Sequence, residues 1–240
     1  MKILLFSDLH LDDERNFPET DDKHLDFLAR TISSLNIDAV VNLGDTVSRT
    51  GCLRAGAPGG VESFQRYIKW RKQFSIPFIE CCLVREVGFF EEIFGQPADY
   101  VKDFGDCAVI TLCPMEDSEH LMTPEEIKFL DDAISSTEAK NILICSHVPF
   151  PGSCSRKEEP GIFLYVPDEL DKVLQKHAQT KELFWAGGHF HWDMEAPQKK
   201  HGVTSFMGGR FKFDKKLCSH YSYMRIFEDG KIIDLPLKEI

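Results

Sequence analysis

Short apolar runs alternate with helix-patterned stretches along the whole chain, and most of the runs stop at a polar residue or a glycine. Residues 2–7 open with Ile3-Leu4-Leu5-Phe6, an unbroken apolar run that predicts a strand buried on both faces. Leu25, Leu28, Ile32 and Leu35 recur at helical spacing and predict a helix over 21–35. The β-branched run at 38–43 predicts a second strand, stopped by Gly44-Asp45. Val61, Phe64, Ile68 and Phe74 predict a helix over 61–74, and Ile76-Pro77-Phe78-Ile79 opens a third strand over 76–82.

The second half repeats the alternation. Residues 107–113 predict a strand. Thr123-Pro124-Glu125-Glu126 opens a helix, with Thr at the N-cap, Pro at the first helical position and acidic side chains near the positive end of the dipole. Ile127, Leu130 and Ile134 form its buried stripe. A strand over 141–145 precedes Ser146-His147, and a helix over 168–177 turns Leu170, Val173 and Leu174 inward. The strand 183–186 runs into Gly188-His189-Phe190-His191. In the tail, Tyr221, Tyr223, Arg225 and Phe227 alternate with smaller or polar residues, and Asp229-Gly230 separates them from a last run over 231–235, which is a hairpin pattern. The expectation is an α/β fold in which a two-sheet β-sandwich is flanked by helices and closed by a C-terminal β-hairpin, forming a single domain over 1–240.

Composition narrows the partners. At 240 residues, 42% hydrophobic and 28% charged, the chain has globular values and room for one substantial core. A net charge of -11 argues against nucleic acid as a partner, because affinity for phosphate backbones rests on clustered Lys and Arg. It leaves open a small phosphorylated substrate, since bound divalent metals reverse the local field. Met1-Lys2 leads directly into the first strand, so no targeting segment is expected, and no apolar run approaches a membrane span. The eight cysteines contain no Cys-x-x-Cys, and free thiols in a cytoplasmic protein are the reading they favour, with Cys107, Cys113 and Cys145 as core filler. Nothing in the sequence fixes an oligomeric state.

Candidate chemistry sits where strands end. Asp8 and His10 follow the first strand, Asp45 the second, His147 a later one, and His189 and His191 the next. Carboxylates and imidazoles are hard-to-intermediate metal ligands. In a regular strand Asp8 and His10 would face the same way, and a carboxylate such as Asp45 has two oxygens with which to bridge two ions. Gly44 and Gly188 allow tight turns beside the ligands. The loops 47–60 and 150–161, rich in turn residues, follow candidate ligands directly and are where substrate selection is expected.

The ordered set D-x-H, G-D, H, G-H-x-H resembles the calcineurin-like metallophosphoesterase family across nearly the whole chain, and the 123–149 segment is similar to its cyclic-nucleotide phosphodiesterase-like branch. The resemblance implies a four-layer fold and two divalent metals (Mn, Fe or Zn). Asp8, His10, Asp45 and His191 would hold one ion; Asp45, His147 and His189 would hold the other. It further implies attack of a metal-bound hydroxide on phosphorus, in line, between ions about 3.5–4 Å apart. Asp45, Arg85 and His147 are then the candidate catalytic residues. The implied activity is hydrolysis of a small phosphodiester or pyrophosphate, such as a nucleotide derivative.

One motif departs from the family. Where it has Gly-Asn-His after the third strand, this chain has Leu83-Val84-Arg85, and no Asn lies between Asn42 and Asn141. Val84 cannot coordinate a metal. Arg85 stands where the family's His steadies the leaving oxygen; a guanidinium is a poor general acid but a good donor to anionic oxygen. The second ion should therefore bind more weakly, and leaving groups that need a proton should be cleaved poorly. Glu80, Glu86 and Cys82 are candidates for a substitute ligand.

Arg49 and Arg54 are candidates to grip a phosphate, with a solvated loop charge as the equal alternative. His24, His120, His177, His201 and His220 lack ligand spacing and read as surface or helix residues. Phe190 and Trp192 read as packing more readily than as a wall for a base, and Lys199-Lys200 and Lys215-Lys216 as solvated pairs. The altered third motif keeps a rival in view: a catalytically impaired binding or scaffold protein on the same fold, holding one metal or none.

Overall fold

The computed structural model describes residues 1–11, 18–47, 58–82, 87–114, 121–155, 163–189, 191, 194–211, 213–214, 219–220 and 223–236. In chain order the elements are β1 (Lys2–Phe6), α1 (Pro18–Ser34), β2 (Ala39–Asn42), α2 (Pro58–Arg71), β3 (Phe78–Glu80), α3 (Val87–Phe94), β4 (Tyr100–Asp103), β5 (Cys107–Thr111), α4 (Pro124–Ser136) and β6 (Asn141–Cys145). There follow α5 (Asp168–His177), β7 (Glu182–Gly187), β8 (Gln198–Lys200), β9 (Val203–Met207), β10 (Gly209–Arg210), β11 (Phe213–Asp214), β12 (Ser219–His220), β13 (Tyr223–Glu228) and β14 (Lys231–Pro236).

Among the described residues two mixed sheets form, with β11 and β12 paired antiparallel apart from them. The first runs β10-β13-β1-β2-β3, with β14 also on β13; the second runs β4-β5-β6-β7-β9-β8. β1, β2 and β3 are parallel to one another, as are β5, β6, β7 and β9. The layering follows from strand period two. Ile3 and Leu5 of β1 meet Leu143 and Cys145 of β6 in a core between the sheets. The alternate residues Leu4 and Phe6 pack outward on Leu25, Leu28 and Ile32 of α1, and Ile142 and Ile144 pack outward with Leu130 and Ile134 of α4 and Leu170 and Leu174 of α5. Both faces of each central strand are therefore covered, which is why those strands are apolar throughout. Helix, sheet, sheet, helix is the four-layer arrangement expected.

Local signals behave as expected where they are self-contained. The side chain of Thr123 accepts from Glu126 N–H at 3.2 Å while Glu126 accepts from Thr123 N–H at 2.6 Å, a reciprocal cap with Pro124 inside it. Asp229 and Gly230 take φ of +49° and +75°, the paired left-handed geometry that suits a two-residue hairpin between β13 and β14. That hairpin is not an appendage: β13 pairs antiparallel with β1 and lies inside the first sheet.

Some boundaries move. α2 starts at Pro58, so Gly59 and Gly60, expected in a loop, lie in its first turn; proline's fixed φ suits that start. α3 and the antiparallel edge strand β4 were not expected, and β3 covers three residues, not seven.

Candidate metal centre

The carboxyl ends of β1, β2, β6 and β7 open on one edge of the sandwich, and each delivers a ligand-type side chain there. Two groups form among the described residues: Asp8, His10 and His191, and Asp45, His147 and His189; in each, one donor atom per residue lies within 4.8 Å of the others.

The delivery differs from the expectation of a regular strand. β1 ends at Phe6, and Asp8 and His10 lie beyond it with φ of +58° and +46°. Leu9 between them is buried in the outer core. Asp45, His189 and His191 also have positive φ, +50°, +76° and +48°. Left-handed backbone costs a non-glycine residue about 1 kcal/mol or more, and Asp and His are among the side chains that tolerate it best. Hydrogen bonds hold these turns: Asp8 N–H to Gly44 O, His10 N–H to Asp45 O and Leu11 N–H to Thr46 O, each at 3.0 Å, and Gly188 N–H to His147 O at 2.9 Å. Strained backbone concentrated on one set of side chains is characteristic of a functional site.

Two glycines make the close approaches possible. A Cβ on Gly44 would stand 2.7 Å from His147 Nδ1, and one on Gly188 only 2.0 Å from Ser7 Oγ. Two buried arginines hold the outgoing loop from behind: Arg210 donates to the carbonyl of His191, and Arg225 to the carbonyls of Glu195 and, at 3.0 Å, Met207.

The donor atoms face inward. His147 Nδ1 lies 2.7 Å from the carbonyl of Leu43; a carbonyl only accepts, so Nδ1 carries the hydrogen and Nε2 is left for a ligand. That Nε2 lies 3.2 Å from His189 Nδ1 and 3.5 Å from Asp45 Oδ2. The same Asp45 oxygen is 3.8 Å from His10 Nε2, so one carboxylate reaches both groups. His10 Nε2 and His191 Nε2 approach to 2.7 Å, and Asp8 Oδ1 lies 3.3 Å from His191 Nε2. Asp8 Oδ1 is fully buried and makes no hydrogen bond among the described residues, while Asp8 Oδ2 accepts from His189 N–H at 3.2 Å. A buried carboxylate oxygen left without a donor, converging with imidazole nitrogens, fits a divalent cation.

Electrostatics point the same way. Burial pushes the Asp8 carboxyl up, yet the imidazoles of His191, His147 and His10 outweigh it and hold Asp8 down to about 2. Burial works against charge on His147, and the Asp45 carboxylate, helped by Asp8 and the Leu43 carbonyl, lifts it to about 8. Asp8, Asp45 and His147 are buried, while His10, His189 and His191 are half-buried and form the rim toward solvent.

Of the substitute ligands considered, Glu80 is committed elsewhere. Its carboxylate receives Asn42, Tyr67 and Arg71, and it belongs to neither ligand group. Cys82 packs with Phe90 and Cys113 in an apolar cluster. Glu86 lies outside the described residues, as do Leu83, Val84 and Arg85, the loop arginines Arg49 and Arg54, and Phe190 and Trp192. His24, expected at the surface or on a helix, is on α1 and wholly buried against Phe211. The Asn42–Glu80 network was not anticipated; its signal was two polar residues, Asn42 and Glu80, at the ends of otherwise apolar strands.

No family model matches the sequence, and no curated protein matches it. Solved structures do. A dimetal phosphatase from Danio rerio superposes with a TM-score of 0.68 at 12% identity, covering 98% of each chain. GAP50, the anchor in the inner membrane complex of Plasmodium, gives 0.58 at 12% identity, over all of this chain and 89% of that one. PhoD gives 0.51 at 11% identity, over 87% of this chain and 56% of the other. The chain therefore has the fold of the dimetal phosphatases.

Proposed function

We propose that this protein is a divalent-metal-dependent phosphoesterase that hydrolyses a small phosphodiester or pyrophosphate, a nucleotide derivative being one such substrate. The observation that carries the proposal is Asp45 Oδ2, within 3.8 Å of His10 and 3.5 Å of His147, joining two three-residue candidate ligand groups at one edge of the sandwich. Asp8, His10 and His191, with Asp45, would hold one ion; Asp45, His147 and His189 would hold the second. When bound, such a pair supplies Lewis-acid charge to the phosphoryl oxygens and activates water at neutral pH. Mixed imidazole and carboxylate donors suit Mn, Fe or Zn.

The chain's own residues do the remaining work. The Leu43 carbonyl fixes the ring of His147 and the Asp8 carboxylate the backbone of His189, which lowers the cost of ordering these two residues on binding. The half-buried rim of His10, His189 and His191 is the side from which a phosphate would approach. Arg85, Arg49 and Arg54 are the guanidinium donors proposed for anionic oxygen on the leaving group and substrate. A chain acting on small phosphorylated molecules needs neither nucleic acid nor a membrane as partner. Among the described residues no helix is long and apolar enough to cross a membrane. Buried thiols at Cys81, Cys107 and Cys145 favour a reducing, cytoplasmic compartment.

The test is turnover of an aryl phosphodiester with added Mn²⁺, abolished in Asp45→Asn. A folded, metal-loaded protein that turns over no activated phosphoester refutes the proposal. One observation favours a second reading, a binding or scaffold protein: Leu83-Val84-Arg85 lacks the family's ligand, and GAP50, described as an anchor, has the same fold. That reading requires one ion or none per chain, with no turnover.

A further inference from the structure

The residues on either side of Asp45 are held by one side chain. Oδ1 of Asn42 accepts from Gly44 N–H at 3.2 Å, and its Nδ2 donates to Thr46 Oγ1 at 2.7 Å. Nδ2 also donates to Glu80 Oε2 at 2.8 Å, so Asn42 spans from β2 to β3. The main-chain N–H of Gly44 only donates and an ionised Glu80 carboxylate only accepts, which fixes the amide in a single orientation.

Glu80 is fixed in turn. Its Oε1 receives the Arg71 guanidinium at 2.7 Å and the Tyr67 hydroxyl at 3.1 Å, both from α2. Asn42 and Glu80 are each 1% exposed and Tyr67 is fully buried, so water does not compete for these bonds. What they hold is a sharp turn with one strained residue: Asp45 has φ of +50°, next to Gly44 at +101°, where glycine is at ease. Released from Asn42, this turn would relax toward more populated conformations and carry the Asp45 carboxylate with it. Asp45 is the one carboxylate of its ligand group among the described residues, and the residue that reaches across to His10.

We propose that Asn42, locked in place by Glu80, Tyr67 and Arg71, is a positioning residue that aims Asp45 between the two ligand groups, and that this buried network sets whether the chain holds two ions or one. The proposal rests on the metal-centre reading above. It gives Glu80 a role distinct from ligation: it acts on the centre through Asn42, without touching an ion.

The test is Mn²⁺ binding by the full chain, followed by equilibrium dialysis and electron paramagnetic resonance, with circular dichroism as the check on folding. The wild type should hold two ions and show the exchange-coupled spectrum of a Mn²⁺ pair. Asn42→Ala should keep the first ion, bind the second at least about tenfold more weakly, and show an isolated-ion spectrum. Thr46→Val and Tyr67→Phe each remove one hydroxyl of the network with little change in volume; they should weaken the second ion in the same direction, and they carry the test if Asn42→Ala does not fold. Folded variants that keep both ions at wild-type affinity with an unchanged coupled spectrum overturn the positioning role alone. A wild type without a coupled pair overturns the two-metal reading, and this inference with it.

Discussion

His147 reaches across the sandwich to donate its Nδ1 hydrogen to the carbonyl of Leu43 at 2.7 Å, two residues before Asp45. This bond ties the candidate ligand from the second sheet to the turn that carries Asp45, the candidate ligand from the first, and it leaves Nε2 facing Asp45 and His189. Replacing His147 by Asn keeps a donor near the Nδ1 position but removes Nε2. The expected result is a folded protein whose metal content falls from two ions to one, read by elemental analysis after dialysis.

Gly44 is where that tie leaves no room. A Cβ there would stand 2.7 Å from His147 Nδ1, at a φ of +101° that L side chains rarely adopt. Gly44→Ala should lower stability by about 1–3 kcal/mol, measured by urea denaturation, and weaken metal binding in the same protein.

Glu80 gives a pH dependence. Burial pushes its carboxyl above the ordinary value, and the Arg71, Asn42 and Tyr67 contacts offset only part of that; Tyr100 and Cys81, packed nearby, add no positive charge. Because the folded state holds this proton more tightly than the unfolded chain, its stabilising effect is complete below the unfolded value near 4.5 and is lost as pH rises through the raised folded value. Glu80→Gln does not titrate. The stability of wild type relative to Glu80→Gln should therefore fall between pH 4 and pH 8 in denaturant unfolding of the metal-free proteins. A constant difference would mean that Arg71 holds the carboxylate ionised throughout.

The substitution of Leu83-Val84-Arg85 for Gly-Asn-His predicts a leaving-group preference. A guanidinium stabilises anionic oxygen but does not deliver a proton readily. Aryl and phosphoryl leaving groups should be released far faster than alkoxides, and the dependence of rate on leaving-group pKa should flatten in Arg85→His.

Much of this was legible in the sequence because it is encoded locally. β1, β5, β6 and β7 are covered on both faces, so each appears as an unbroken apolar run. The six candidate ligands follow such runs within a few residues. The Thr123 cap and the Asp229-Gly230 turn are complete in a handful of neighbouring side chains. What was not legible depends on distant partners. The two-residue strands β10, β11 and β12 owe their pairing to neighbours and have no pattern of their own. α3 is only eight residues long, too short for Phe90 and Phe94 to stand out as a helical stripe. The left-handed backbone of Asp8 and His10 is imposed by bonds to the 44–46 segment. Glu80 stood among three candidate substitute ligands, with Glu86 and Cys82, because a buried carboxylate reveals its partner only in space; its partners are Asn42 and the α2 side chains.

The most direct test of a two-metal phosphoesterase is turnover of an activated aryl phosphodiester measured against the number of Mn²⁺ ions bound per chain. Activity should be negligible with one ion, rise in proportion to occupancy of the second, and be absent from Asp45→Asn at every metal concentration. Two tightly held ions without turnover, or turnover indifferent to metal content, would contradict it.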